Sequence, residues 1–139
     1  MNFKQIKETC IYSPDLEAAK AFYIGRLGLE IISFLPGKHV FFRAGTSVLL
    51  CFNPEDSRLK KSPPPHYSSG RYHFAFEVEA EDYEQQKSEI LSKGIAISDT
   101  VVWDSGPRSA EGSAKATQES FYFEDGLGNI VEVVPVGIW

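Results

Sequence analysis

Residues 5–12 alternate between the two faces of an extended chain and read as a strand. The period then changes. Leu16, Ala19, Phe22, Tyr23 and Leu27 recur at helical spacing, which predicts an amphipathic helix over 14–27. Ser13-Pro14-Asp15 opens it with an N-cap oxygen, a proline suited to the first turn and an early acid for the helix dipole. Gly28 stands where a left-handed C-cap closes a helix. Strands are expected at 29–35, 39–44 and 46–53, with turns at Pro36-Gly37 and Ala44-Gly45-Thr46. The first half is therefore β-α-β-β-β.

The same order returns in the second half. A strand is expected at 71–79 and a helix at 81–93 carrying Tyr83, Ile90 and Leu91, closed by Gly94. Strands at 95–103, 119–125 and 129–135 follow, with Gly126-Leu127-Gly128-Asn129 as the last turn. Gly28 aligns with Gly94, and Leu29-Glu30-Ile31 with Ile95-Ala96-Ile97. Phe42-Arg43-Ala44-Gly45 before Val48-Leu49-Leu50 aligns with Phe123-Glu124-Asp125-Gly126 before Ile130-Val131-Glu132. Consistent order with weak identity is what an internal duplication leaves behind. The expected organisation is one domain over 1–139: module one at about 1–56, a connecting loop at about 57–70 and module two at about 71–139. Two irregular segments interrupt the repeat, 54–70 with Pro63-Pro64-Pro65 and 104–118 rich in Ser, Ala and Gly. Segments of that length are either lids over a site or simply mobile.

Composition narrows the class. At 139 residues with 42% hydrophobic and 13% aromatic residues, the chain is globular and long enough for a core. A net charge of −5 argues against nucleic acid or an anionic membrane as a partner. No apolar run reaches the roughly 20 residues of a membrane span, and no signal peptide is visible, so the cytoplasm is the expected location. Cys10 and Cys51 lie in apolar strand-like runs, where reduced, packed thiols are expected and a disulfide stays open as the alternative.

Asp15-Leu16-Glu17, Ala21-Phe22-Tyr23 and Leu27-Gly28-Leu29 together resemble the opening helix of the glyoxalase/bleomycin-resistance/dioxygenase, or vicinal-oxygen-chelate, superfamily. Tyr72-His73-Phe74-Ala75-Phe76-Glu77-Val78 and the run from Phe121 to Glu132 resemble its second-half signatures. The resemblance implies an α+β fold in which two βαβββ modules form an open, cup-shaped mixed sheet. It also implies metal ligands on the first and last strands of the modules. Carried over by position, these are Glu8, His73 and Glu132, and the fourth position falls on Leu50, or on Leu49 or Cys51 if the register slips by one. Leucine does not ligate metals, and glyoxalase I-like chemistry normally uses four protein ligands.

Taken singly, each residue has a plainer reading. Glu132 is either on a solvated strand face or buried against a cation, His73 equally suits a hydrogen-bonded structural role, and Glu8 a surface charge. Together they match the facial set of one imidazole and two carboxylates that leaves positions open for substrate. Two carboxylates favour harder ions: the expected cofactor is a divalent metal, Mn, Fe or Mg, with Zn and Ni also compatible. His66, after three prolines, is either a group folded over the cup or an exposed loop histidine, and His39 is a candidate strand-edge residue. Arg43 and Arg108 are candidates for holding a substrate carboxylate or phosphate, with surface ion pairs the ordinary alternative. Phe52, Trp103 and Tyr122, with Phe41, Phe121 and Trp139, offer apolar walls, at least half of which must be core.

The resemblance thus implies a metal-dependent lyase, isomerase or dioxygenase acting on a small oxygen-bearing substrate, with Glu8 or Glu132 moving a proton and His73 a ligand only. The rival is a metal-free protein of the bleomycin-resistance type that sequesters a small molecule; an interaction module with a degenerate cup is the third class. A homodimer is expected from the resemblance alone.

Overall fold

The computed structural model describes residues 1–104 and 117–138. By internal contacts the chain divides into two units, Met1–Tyr72 and His73–Trp139.

The first unit contains β1 (Glu8–Tyr12), α1 (Leu16–Lys20), β2 (Glu30–Leu35), β3 (His39–Ala44), β4 (Ser47–Phe52) and a one-turn helix α2 (Pro54–Ser57). Its four strands form one mixed sheet in the order β1-β4-β3-β2. β1 runs parallel to β4, and the other pairs are antiparallel. Alternation along the strands sends Ile11, Val40, Phe42, Leu49 and Cys51 to the face covered by α1, all of them buried. Tyr23 packs there on Phe42 with ring centroids 5.1 Å apart. Cys10 is opposite Leu50, and Cys51 is the next residue along β4. The two thiols therefore point to opposite faces, and neither is in a disulfide among the described residues.

The second unit repeats the plan with β5 (His73–Val78), α3 (Tyr83–Ser92), β6 (Ile97–Asp104), β7 (Thr117–Glu124) and β8 (Ile130–Pro135). Its sheet order is β5-β8-β7-β6, again with a parallel pair, β5 with β8, between first and last strands. Phe121, Phe123, Val131 and Val133 are buried on the helix-covered face, and Tyr83 of α3 lies 5.5 Å from Phe121 between ring centroids. Lys87 of the same helix bonds Glu119, which also accepts from the Tyr83 hydroxyl at 3.1 Å. The expected α+β class and the two βαβββ modules are what the chain adopts. No helix among the described residues is long and apolar enough to cross a membrane.

Two local expectations are corrected. The helix expected over 14–27 starts at Leu16 and turns π-helical over Ala21–Arg26. Its cap is Asp15, whose carboxylate accepts from the Ala18 amide, because Ser13 is buried and its hydroxyl accepts from the Asp15 amide instead. Asn53 caps α2 by accepting from the Glu55 amide and donates to the Gly37 carbonyl. The segment 105–116, with the expected lid or mobile stretch, lies outside the described residues.

One turn sets the register on which the second sheet relies. The Asp125 carboxylate, 1% exposed, accepts from the amides of Leu127 and Asn129 and from the Asn129 side chain, at 2.8, 3.0 and 2.6 Å. Gly126 and Gly128 take the positive φ values of 75° and 98° that this tight return requires. Asp125→Ala leaves these donors without that acceptor and should cost roughly 2–3 kcal/mol in urea unfolding, with Asp125→Asn losing less.

Candidate functional site

On the face of the second sheet turned away from α3, the parallel register places His73 beside Ile130 and Ala75 beside Glu132. His73 and Glu132 thus lie diagonally on adjacent strands and on one face. His73 Nε2 is 3.1 Å from Glu132 Oε2. The imidazole side chain is 51% exposed and the carboxylate 5%, so Glu132 is a buried charge held by named partners. Its other oxygen, Oε1, accepts from the Tyr122 hydroxyl at 2.6 Å, Tyr122 being directly opposite on β7. Tyr122 is 3.5 Å from the Ser120 hydroxyl, which accepts from the Trp103 indole N–H at 2.8 Å. Burial, followed by the bond to Glu132, raises the Tyr122 phenol above its ordinary range, so it stays a donor at neutral pH.

The first sheet has the same register with different chemistry. Glu8 is beside Val48 and Cys10 beside Leu50, which repeats His73 beside Ile130 and Ala75 beside Glu132. Glu8 is therefore the counterpart of His73, and Leu50, not Leu49 or Cys51, the counterpart of Glu132. Phe41, opposite Leu50, takes the place of Tyr122. Around Leu50 this face is aromatic. His39 stacks on Phe41 at 4.1 Å, Phe41 meets Phe52 at 5.1 Å, and His66 meets Phe52 at 4.5 Å. His66, one of the two alternatives left open for it, is folded onto the sheet: its Nδ1 is 2.9 Å from the Tyr12 hydroxyl. Glu8 is exposed at the start of β1. Arg43 is exposed on β3, opposite Glu30 and Val48. Arg108 lies outside the described residues.

The sequence profile of the Glyoxalase/Bleomycin resistance protein/Dioxygenase superfamily matches residues 5–133. The chain belongs to this superfamily. Lactoylglutathione lyase from Agrobacterium tumefaciens has a similar crystal structure, with 31% identity, a TM-score of 0.86, and coverage of 100% of this chain and 98% of that one. An integron cassette protein of V. cholerae shares the fold at 20% identity, with a TM-score of 0.70 and coverage of 99% and 98%. A glyoxalase/bleomycin resistance protein/dioxygenase from Alicyclobacillus acidocaldarius does so at 19% identity and a TM-score of 0.62, covering 93% and 89%. Among curated proteins none matches in sequence.

The superfamily implies a divalent metal, and the donors of module two can be tested against one. Two ligands with bonds of about 2.1 Å at about 90° stand roughly 3.0 Å apart. The 3.1 Å between His73 Nε2 and Glu132 Oε2 fits that spacing. An imidazole nitrogen and a carboxylate oxygen also form the donor set that suits first-row divalent ions. Among the described residues no group of three or more His, Cys, Asp or Glu is gathered at ligand spacing, so this pair is what module two supplies by itself.

Two participants escaped the sequence reading. Ser120 was not singled out, although its position two residues before Tyr122 puts both on the Glu132 face. Tyr12 was unremarked, since nothing local marks it as the partner of a histidine 54 residues away.

His39 gives the aromatic face a titratable reporter. Its Nε2 is 3.0 Å from the Ser33 hydroxyl, and burial, then the Lys60 ammonium, hold it below its usual 6.5. The fold thus favours the neutral ring. Its contribution is present above the unfolded value near 6.5 and is lost as pH falls through the lower folded value. NMR titration of the His39 ring should show a midpoint below 6.5, moving upward in Lys60→Met. A midpoint at or above 6.5 in the unsubstituted chain would contradict this account.

Proposed function

We propose that this chain is a divalent-metal-dependent enzyme of lyase or isomerase type that acts on a small oxygen-bearing organic substrate. Glu8, His73 and Glu132 are the residues that would hold the ion, and Mn, Fe, Mg, Zn and Ni all suit this mixed donor set. The observation that carries the reading is the convergence of His73 Nε2 and the buried Glu132 Oε2 at 3.1 Å on the open face of β5 and β8. When bound, the ion supplies Lewis-acid polarisation of substrate oxygens.

The side chains divide the remaining work. Glu132 has Oε1 committed to Tyr122, which suits a fixed ligand better than a moving base. Glu8, exposed at the start of β1 and without the Tyr122 bond that fixes Glu132, is the ligand carboxylate that would also take up and return a substrate proton. Arg43, Arg108, His66, Phe52, Trp103 and Tyr122 are the proposed substrate contacts. Leu50 at the remaining ligand position makes this a three-ligand set. Similarity to a lactoylglutathione lyase at 31% identity supports the lyase or isomerase branch over the dioxygenase branch. The proposal takes 1–139 as one functional domain, with a homodimer in the cytoplasm as its working form.

A second reading, a metal-free small-molecule sequestering protein of the bleomycin-resistance type, is favoured by the aromatic cluster of Tyr12, His39, Phe41, Phe52 and His66. Metal content decides between them. Protein purified without chelator and assayed by elemental analysis should carry about one divalent ion per chain. His73→Ala and Glu132→Ala should each reduce occupancy roughly tenfold or more. Full occupancy in both variants would remove these residues from the metal site, and a metal-free parent would favour the sequestering reading.

A further inference from the structure

We infer that Tyr122 is a positioning residue that fixes Glu132 as a one-oxygen ligand, at the end of a donor chain that begins at Trp103. The inference rests on the metal-site reading above but concerns residues outside the ligand set.

The direction of each bond follows from the groups. An indole N–H only donates, so the 2.8 Å contact fills an acceptor site on Ser120 Oγ. That leaves the Ser120 hydroxyl proton available to point towards Tyr122 Oη, 3.5 Å away. Tyr122 in turn donates to Glu132 Oε1 at 2.6 Å, within the range of a charge-assisted O–H···O⁻ bond. A hydroxyl that accepts one bond is a stronger donor in the next, so the three groups act in one sense. All of them are set by strand register: Tyr122 directly faces Glu132, Ser120 precedes it by two on the same face, and Trp103 pairs with Gln118, diagonal to Ser120. The phenol therefore takes one lone pair of Oε1 and draws on its charge, which favours Oε2, the oxygen beside His73 Nε2, as the one that binds metal. A bidentate carboxylate would have to bind the ion through the same oxygen that accepts the Tyr122 bond. Outer-shell partners of this kind orient a ligand and hold its geometry without touching the ion.

Two measurements on the full chain test this. The first is titration with Mn²⁺ of the parent, Tyr122→Phe and Ser120→Ala, with the visible spectrum of the Co²⁺-loaded forms as a reporter of coordination. Tyr122→Phe should weaken Mn²⁺ binding roughly 10–100-fold and alter the Co²⁺ spectrum, with a smaller change in the same direction for Ser120→Ala. A purely structural tyrosine would lower the melting temperature and leave the Co²⁺ spectrum of the folded protein as it was. The second, on metal-free protein, follows the Trp103 indole N–H resonance, assigned with Trp103→Phe. It should shift in Tyr122→Phe and in Glu132→Gln, although neither residue bonds the indole directly.

Unchanged Mn²⁺ affinity and Co²⁺ spectrum in Tyr122→Phe overturn the positioning role while leaving the metal site standing. An indole resonance indifferent to both substitutions overturns the donor chain. A parent protein that binds no Mn²⁺, Co²⁺ or other divalent ion overturns the metal site, and the positioning role with it, even if the indole shifts are seen.

Discussion

The parallel pairing of the first and last strands within each module is the constraint from which the site geometry follows. In module two, β5 beside β8 brings together His73 and Glu132, 59 positions apart in the chain. A shift of one residue would send Glu132 to the face where Val131 and Val133 pack under α3, an unpaired charge among buried apolar groups. The hydrophobic pattern therefore enforces the register, and the register places the polar groups. The Asp125 turn does the same for β7 and β8, and so sets Tyr122 opposite Glu132.

Burial then gives these contacts their weight. Glu132 is buried within its sheet and has a hydrogen-bond partner on each oxygen, His73 on one and Tyr122 on the other. Removing a partner from such a group costs more than removing one from an exposed ion pair such as Arg58–Glu55. That asymmetry marks the face of β7 and β8 as organised for a charge, where ordinary sheet surface would be solvated.

The duplicated modules have kept a backbone plan and diverged in chemistry. Leu50 and Phe41 stand where Glu132 and Tyr122 stand in the other module, so the paired ladder that holds a carboxylate in one holds an aliphatic and an aromatic side chain in the other. The aromatic set around Phe52 and His66 follows from that replacement.

Strand alternation, helical spacing and the glycines after each helix are local signals, and from them the order βαβββ and its repetition were legible. The resemblance assigned Glu8, His73 and Glu132 to first and last strands, where they lie, and the register singles out Leu50 from Leu49 and Cys51 as the counterpart of Glu132. Errors arose where two neighbouring groups compete for one role. Ser13 and Asp15 both have cap chemistry, and burial of Ser13 against the Phe52 carbonyl leaves Asp15 to cap. The partners of each polar group belonged to the tertiary structure alone: Tyr122 on Glu132, Trp103 on Ser120, Tyr12 on His66. Periodicity tells which face a side chain occupies, whereas a hydrogen bond needs the neighbouring strand's register and the rotamer that packing permits.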